Sequence, residues 1–343
     1  MVLADIILEL CGMDGPAGFE ERVAGRAAEL LAPYMDEVKT DILGNVIGVK
    51  RCGALDAVKV MIDAHIDEVG FVVTGIKEGF LSFAPLGGAD ARILPSSEMK
   101  ILTEKPIYGV VACMPPHVLS GEKMDKAIPI EDMAIDIGMT QEQAERAVRP
   151  GTPVTFASKP VILNDRVIAG KALDNRACFA TVLYSLHRMQ SHKLAYDLYI
   201  CASVQEEVGH RGAKAGAYYV SPDYCIALDV THAHTPDAGK EKTVEFGGGP
   251  AIGIGPDMNR KLSKQLIAFS EKRKIPYQIE VLPKSSGTNL REIQVTKGGV
   301  ATALLSLPLK YMHTSSETIK LSDAVATGDL LAEFLMEMGR LYA

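Results

Sequence analysis

Five stretches of the sequence place an acid or a histidine at, or just beyond, the end of an apolar run. They are His65 and Asp67 in MIDAHIDEVG, Asp174 in GKALDNRACFA, Glu206 and Glu207 in SVQEEVGHRGA, Asp229 in ALDVTHAH, and His313 in LSLPLKYMHTSSE. Apolar runs rich in Val, Ile and Leu read as buried strands. In open α/β sheets, ligands gather beyond strand ends where the sheet order switches. Each position also has an ordinary use: strand-end histidines are satisfied by hydrogen bonds, Asp174 can cap the helix that follows it, and Glu206 with Glu207 can be a solvated acidic pair at a helix start.

Spacing narrows the chemistry. His65 and Asp67 stand two residues apart, on one side of an extended chain, so the carboxylate can orient the imidazole of a metal ligand. Asp174, projecting from a fixed turn, can bridge two cations. Glu206 and Glu207 diverge as neighbours, so one can bind metal while the other faces substrate as a general base. A strand-terminal Asp229 is costly unless paired, capped or metal-bound, and His232 and His234 read as loop residues able to line a pocket. Two histidines, three carboxylates and a spare glutamate are too rich in oxygen and too poor in sulfur for structural zinc. They suit a pair of hydrolytic divalent ions sharing one carboxylate.

The elements that must position these residues follow from periodicity. Phe19 to Met35 puts Val23, Ala27, Leu30 and Leu31 on one helical stripe, and DEVKTDILGNVIGVKR reads as two strands around a Gly44–Asn45 turn, followed by the strand VKVMIDAHI. From about Phe71 to Leu163 the texture changes to short apolar pieces cut by Gly and Pro (FVVTGI, FLSFAPLGG, MKILTEKPIYGVVACMPP, GTPVTFASKPVIL), with one helix at Thr140–Val148. Beyond Ala169, strands alternate with helical stretches, which predicts a sheet layered between helices. The first strands cannot complete such a sheet alone. The simplest topology is an α/β domain of residues 1–70 and 164–343 with a β-rich domain, 71–163, inserted into it.

Composition excludes whole classes. The 343 residues carry 36 Lys+Arg against 43 Asp+Glu, a formal charge of −7 that argues against nucleic-acid binding. The longest apolar stretch, GVATALLSLPL, falls short of the ~20 residues of a membrane span, so no membrane association is expected, and cytoplasmic residence is. Six dispersed cysteines without a CxxC pair read as reduced, mostly buried thiols.

In order along nearly the whole chain, GFEERV, DILGNVIG, AHIDEVG, AIDIG, GKALDNR, QEEVGHRGA, ALDVTHAHTPD, SGTNLREIQ and YMHTSSE resemble the M42 glutamyl aminopeptidases, which include the tetrahedral TET peptidases of the di-zinc exopeptidase clan. The resemblance implies a mixed-sheet α/β catalytic domain with an inserted β-barrel-like dimerisation domain. It implies that Asp174 bridges two metal ions, one also held by His65 and Asp229, the other by Glu207 and His313. Glu206 becomes the general base and Asp67 the partner that orients His65. The implied activity is removal of the N-terminal residue from short peptides, with zinc, or else cobalt or manganese, as the ions. The implied assembly is a dimer-built homo-oligomer, up to a dodecamer.

Three departures from the family's usual text leave the implied ligands untouched: Asn289 where Asp is common, His210 after EEVG, and Thr-Ser-Ser after His313 where Ser-Pro-Val is frequent. Two alternatives compete. A silent peptide-binding scaffold of the same fold predicts missing ligands, and none is missing. A glycoside hydrolase needs carboxyls on opposite sides of a sugar, which the adjacent Glu206 and Glu207 do not offer, and the chain has no Trp for stacking. For residue preference, Arg211, Arg260 and Arg291 are candidate partners of an acidic side chain and Glu292 of a basic one.

Overall fold

The computed structural model describes residues 2–114, 127–164 and 166–342. Two helices open the chain. α1 (Leu3–Cys11) has no counterpart in the sequence expectations: its N-cap, Val2, offers no capping side chain, and burial of Leu3, Ile7 and Leu10 on one stripe holds it. α2 (Glu21–Leu31) is the expected helix, ending where a 3-10 turn at Ala32–Tyr34 begins with the helix-breaking Pro33. β1 (Glu37–Thr40) and β2 (Val46–Lys50) pair antiparallel around the Gly44–Asn45 turn, and β3 (Lys59–His65) follows.

Next come β4 (Gly70–Lys77), β5 (Phe80–Leu86), β6 (Glu98–Ile101), β7 (Ile107–Ala112), β8 (Ala134–Asp136), α3 (Gln141–Ala147) and β9 (Pro153–Phe156). The six strands close a barrel in the order β4, β5, β8, β7, β6, β9. Phe71 anchors its core, edge-on to Phe83 and Phe156 with ring centres 5.5 Å apart in each pair. The β4–β5 turn requires Gly79, at φ +88°, because a Cβ there would run into the Met139 carbonyl. The Pro115–Pro116 end of the expected MKILTEKPIYGVVACMPP piece lies outside the described residues.

The chain then returns to the large sheet with β10 (Val161–Leu163), β11 (Val167–Gly170), α4 (Leu173–Arg188), β12 (Asp197–Ser203), α5 (Arg211–Val220), β13 (Tyr224–His232) and β14 (Ala251–Ile254). It finishes with α6 (Arg260–Arg273), β15 (Gln278–Val281), α7 (Leu290–Ile293), β16 (Ala301–Lys310), β17 (Glu317–Lys320) and α8 (Leu321–Tyr342). The mixed sheet of eleven strands runs β1, β2, β12, β3, β13, β16, β17, β11, β10, with β14 and β15 off β16. Its centre, β12, β3, β13 and β16, is parallel, and its strands are buried on both faces, as helix-covered parallel strands are. Among the described residues no helix is long and apolar enough to cross a membrane.

Alternation decides which side chains reach the site. Val60, Ile62 and Ala64 of β3 join the larger core with α1, α2, α4 and α8, while Met61 joins the smaller core with α5. His65 therefore ends β3 on the Met61 and Asp63 face. On β13, Ile226 and Leu228 face the larger core and Cys225 the α5 side, so Asp229 and Thr231 share the face of His65. The sequence expectation that Asp229 ends its strand is corrected: β13 runs on to His232, which is thus its last residue and not a loop residue.

Leu305, fully buried on β16, tests the weight of the larger core. Leu305→Ala is expected to cost about 2–5 kcal/mol, the range for truncating a core leucine, read as a lowered urea midpoint. A loss near zero would show that packing around β16 is loose.

Candidate metal centre

β3 delivers a histidine that is 1% exposed, and the loop after it delivers Asp67, 0% exposed. The Asp67 carboxylate lies 3.3 Å from His65 Nδ1 and also accepts hydrogen bonds from the backbone N–H groups of Glu206 (3.0 Å) and Glu207 (3.1 Å). One carboxylate thereby fixes an imidazole and the backbone of the acidic pair. Glu206 and Glu207 follow β12, are largely buried, and precede α5, which starts only at Arg211. A solvated pair at a helix start is not what forms.

Asp174 stands at the head of α4 with non-helical φ/ψ, and the Asp174–Asn175 peptide is cis. Its side chain does not cap the helix. Asp174 Oδ1 lies 3.2 Å from His65 Nε2 and Oδ2 lies 3.3 Å from His313 Nε2, so this carboxylate straddles both imidazoles. Asp229 Oδ1 comes within 3.9 Å of His65 Nε2 and Glu207 Oε2 within 3.4 Å of His313 Nε2. Two triads result, His65–Asp174–Asp229 and Asp174–Glu207–His313, with the donor atoms of each within 4.8 Å of one another and Asp174 common to both. His65, Glu206 and Glu207 form a third such grouping.

The electrostatics are those of charges crowded out of water. Burial by itself lowers the pKa of an imidazole, yet the surrounding carboxylates, Asp174 foremost, hold His65 well above its usual value and bring His313 up to about 10. Burial, with the Asp174 charge, pushes Glu207 and Asp229 well above the carboxylate range. Burial opposes ionisation of Asp174 too, but the two imidazoles hold it below its usual value. Asp174 Oδ1, Glu206 Oε1 and Glu207 Oε1 are buried and receive no hydrogen bond. Buried oxygens without donors need an explanation, and cations supply one. The donor set is nitrogen and oxygen without thiolate, which fits several divalent transition ions.

Several participants were not singled out in the sequence. Glu317, 2% exposed, accepts from the backbone N–H of Asp174 (3.1 Å) and of His313 (2.8 Å). His313 Nδ1 meets the Gly88 carbonyl at 2.8 Å, so the segment after β5 aims an imidazole of the large sheet. Backbone donors and carbonyls leave no mark in a sequence; the Glu four residues after His313 was the available signal.

A cavity of about 230 Å³ opens on the centre, lined by all five candidate ligands and Glu206, and beyond them by His232, Thr231, Glu280, Leu282, Leu304 and Met312 among others. None of Arg211, Arg260, Arg291 and Glu292 lines it; Glu292 pairs instead with Lys214 at 3.0 Å. His234 turns to Thr243 Oγ1, 3.3 Å away. Of the unusual residues, Asn289 donates to Asp63 Oδ2 (2.7 Å) and Ser203 Oγ (2.9 Å). His210 Nδ1 lies 2.7 Å from Glu206 Oε1 without an aligned hydrogen bond.

Known proteins resemble this chain over nearly its whole length. A family model described as M42 glutamyl aminopeptidase matches residues 44–330. A lysyl aminopeptidase of Pyrococcus furiosus is 34% identical, with 98% of each chain covered. A TET aminopeptidase from a marine-sediment thaumarchaeote superposes with a TM-score of 0.92 at 30% identity, covering 99% of each chain. The TET1 peptidase of Pyrococcus horikoshii, described as able to assemble into a tetrahedron or a large octahedral shell, superposes with a TM-score of 0.84 at 28% identity, covering 97% of this chain and 99% of that one.

Proposed function

The chain belongs to the M42 glutamyl aminopeptidase family, and from that premise we propose that it is a metal-dependent aminopeptidase releasing the N-terminal residue of short peptides, with Glu206 as its general base. One observation carries the reading: a single buried carboxylate, Asp174, is shared by two triads of histidine and acid. One cation would be held by His65, Asp174 and Asp229, the other by Asp174, Glu207 and His313. When bound, such a pair supplies Lewis acidity, polarising a carbonyl and acidifying water. Zinc is the first expectation, with cobalt or manganese acceptable to the same donors.

The chain's own groups do the rest. Glu206 lines the cavity, its Oε1 lying 2.7 Å from His210 Nδ1 without an aligned hydrogen bond, so it can take the proton of the attacking water and deliver it to the departing amine. Asp67 positions His65 and, through the backbone N–H groups of Glu206 and Glu207, holds base and ligand in register. Glu317 fixes the backbone beneath Asp174 and His313. The cavity, at about 230 Å³, is smaller than the ~300–1,000 Å³ of most ligand pockets, a space for one residue of a substrate. A glycosidase mechanism fits poorly, because its carboxyls must face each other across a sugar, whereas Glu206 and Glu207 are held side by side by one Asp67.

The inserted domain, expected over residues 71–163, is part of the proposal as the dimerisation domain, although its barrel strands run only from β4 to β9 and Val161–Leu163 pair with β11 in the large sheet. The dimers are proposed as units of a homo-oligomer of up to twelve chains acting on peptides in the cytoplasm. A light-scattering mass tests the assembly, and a monomer at micromolar concentration would refute it. The chemistry has a direct test. Dialysis against a chelator is expected to abolish release of N-terminal residues from a broad dipeptide panel and to lower the melting temperature, with zinc, cobalt or manganese restoring both. Full activity after verified metal removal, or none on any peptide with every metal restored, would sink the reading.

A further inference from the structure

One carboxylate in the cavity has no part in the mechanism above. Glu280, on β15, is half-buried and lines the same cavity as the proposed cation ligands. We propose that Glu280 sets residue preference, so that the favoured substrates are peptides whose N-terminal residue is lysine or arginine; the inference rests on the aminopeptidase reading and deepens it.

Position comes first. Thr231 follows Asp229 on the same face of β13, about 7 Å further along the strand. The Thr231 hydroxyl donates to Glu280 Oε1, and the Ser306 hydroxyl donates to Oε2 at 3.0 Å. Ser306 is the residue paired with Asp229 across β13 and β16. Both carboxylate oxygens are thus pinned to the sheet beside the centre, displaced from it by a span that an extended lysine or arginine side chain covers. Each oxygen keeps further acceptor capacity for a bound cation.

Charge and surface agree with position. No Lys or Arg is among the described residues lining the cavity, so a substrate ammonium or guanidinium supplies the cation that Glu280 lacks there. Leu282, Leu304 and Met312 line the same space, apolar surface for the methylene stem of a side chain that carries its charge at the tip. An N-terminal glutamate would bring a like charge against Glu280, and a leucine would cover the carboxylate without pairing it.

The test is kinetic, on the metal-loaded enzyme with Lys, Arg, Leu and Glu anilides. The native chain is expected to show kcat/KM for Lys and Arg at least ten-fold above Leu, with Glu lowest. Glu280→Gln is expected to lower the Lys-to-Leu ratio at least ten-fold, mainly through KM, and Glu280→Lys to move Glu above Lys. Because the ratio is internal to each preparation, partial misfolding cancels. Turnover of all four substrates without preference, or a variant ratio equal to the native one, overturns this inference and leaves the aminopeptidase reading standing. Silence on every substrate overturns both.

Discussion

Glu206→Gln is expected to lower kcat by about 10²–10⁴-fold, the range for removing a positioned general acid–base group, with bound metal content unchanged. The amide keeps the shape of the side chain but cannot accept the proton of the attacking water. Glu206 is not assigned to either of the two triads that share Asp174, and the Glu207 carboxylate beside it diverges toward His313, 3.4 Å away. Loss of activity and loss of metal are therefore separable at this pair. Glu207→Gln removes a donor from one triad and is expected to lower metal content as well as rate. The decisive measurement is kcat beside metal content for both variants. If Glu206→Gln lost metal in step with activity, or fell less than ten-fold, the roles of the two glutamates would have to be exchanged or the base sought elsewhere.

That the centre could be read before its geometry was known has a physical cause. Acids and histidines within or at the ends of apolar strands are expensive, so His65 and Asp229 stand out against the runs KVMIDAH and YCIALDV. The parallel register of β3 and β13, with Cys225 opposite Met61, then puts His65 and Asp229 on one face. What stayed hidden depends on partners remote in the sequence. Glu280 sits in QIEV on the β14 side of the sheet with no motif around it, and only its contacts to Thr231 and Ser306 bring it into the cavity. α1 carries Leu3, Ile7 and Leu10 at helical spacing, but no capping side chain marks its start, and the end of β13 lies beyond Asp229, where Thr231 and His232 read as loop. The closure of the barrel, too, follows from pairings such as β4 with β9, far apart along the chain.

Glu68→Ala is expected to destabilise the protein by about 3–5 kcal/mol, the cost of leaving buried charges without their partner. Glu68 is 2% exposed and stands between Lys171, whose Nζ lies 2.7 Å away, and Arg176, at 3.2 Å. It also accepts from the backbone N–H of Gly15 (2.9 Å) and the Thr155 hydroxyl (3.1 Å). The N-terminal segment, barrel strand β9, the end of β11 and the head of α4 therefore meet at one side chain. Asp14 extends the network: it lies 3.4 Å from Lys171 and accepts from Lys100 of β6 at 2.6 Å. Burial would raise the Glu68 pKa, but the Lys171 and Arg176 charges hold it below its ordinary 4.5. A depressed folded pKa means that the stabilisation is fully present above the unfolded value and is lost as pH falls through the folded one. The native chain should accordingly lose stability below about pH 4.5, and the variant should lose less over the same interval because this contribution is already gone. Glu68→Gln, which keeps the shape and the contacts to Gly15 and Thr155, should cost less than Glu68→Ala. Urea midpoints at pH 7 and pH 4 for the three proteins, with limited proteolysis between barrel and sheet, measure this. A Glu68→Ala midpoint equal to that of the native chain at pH 7 would mean that Asp14 and the carbonyls around Arg176 suffice to neutralise the cluster, and that the barrel is held to the sheet by apolar contact instead.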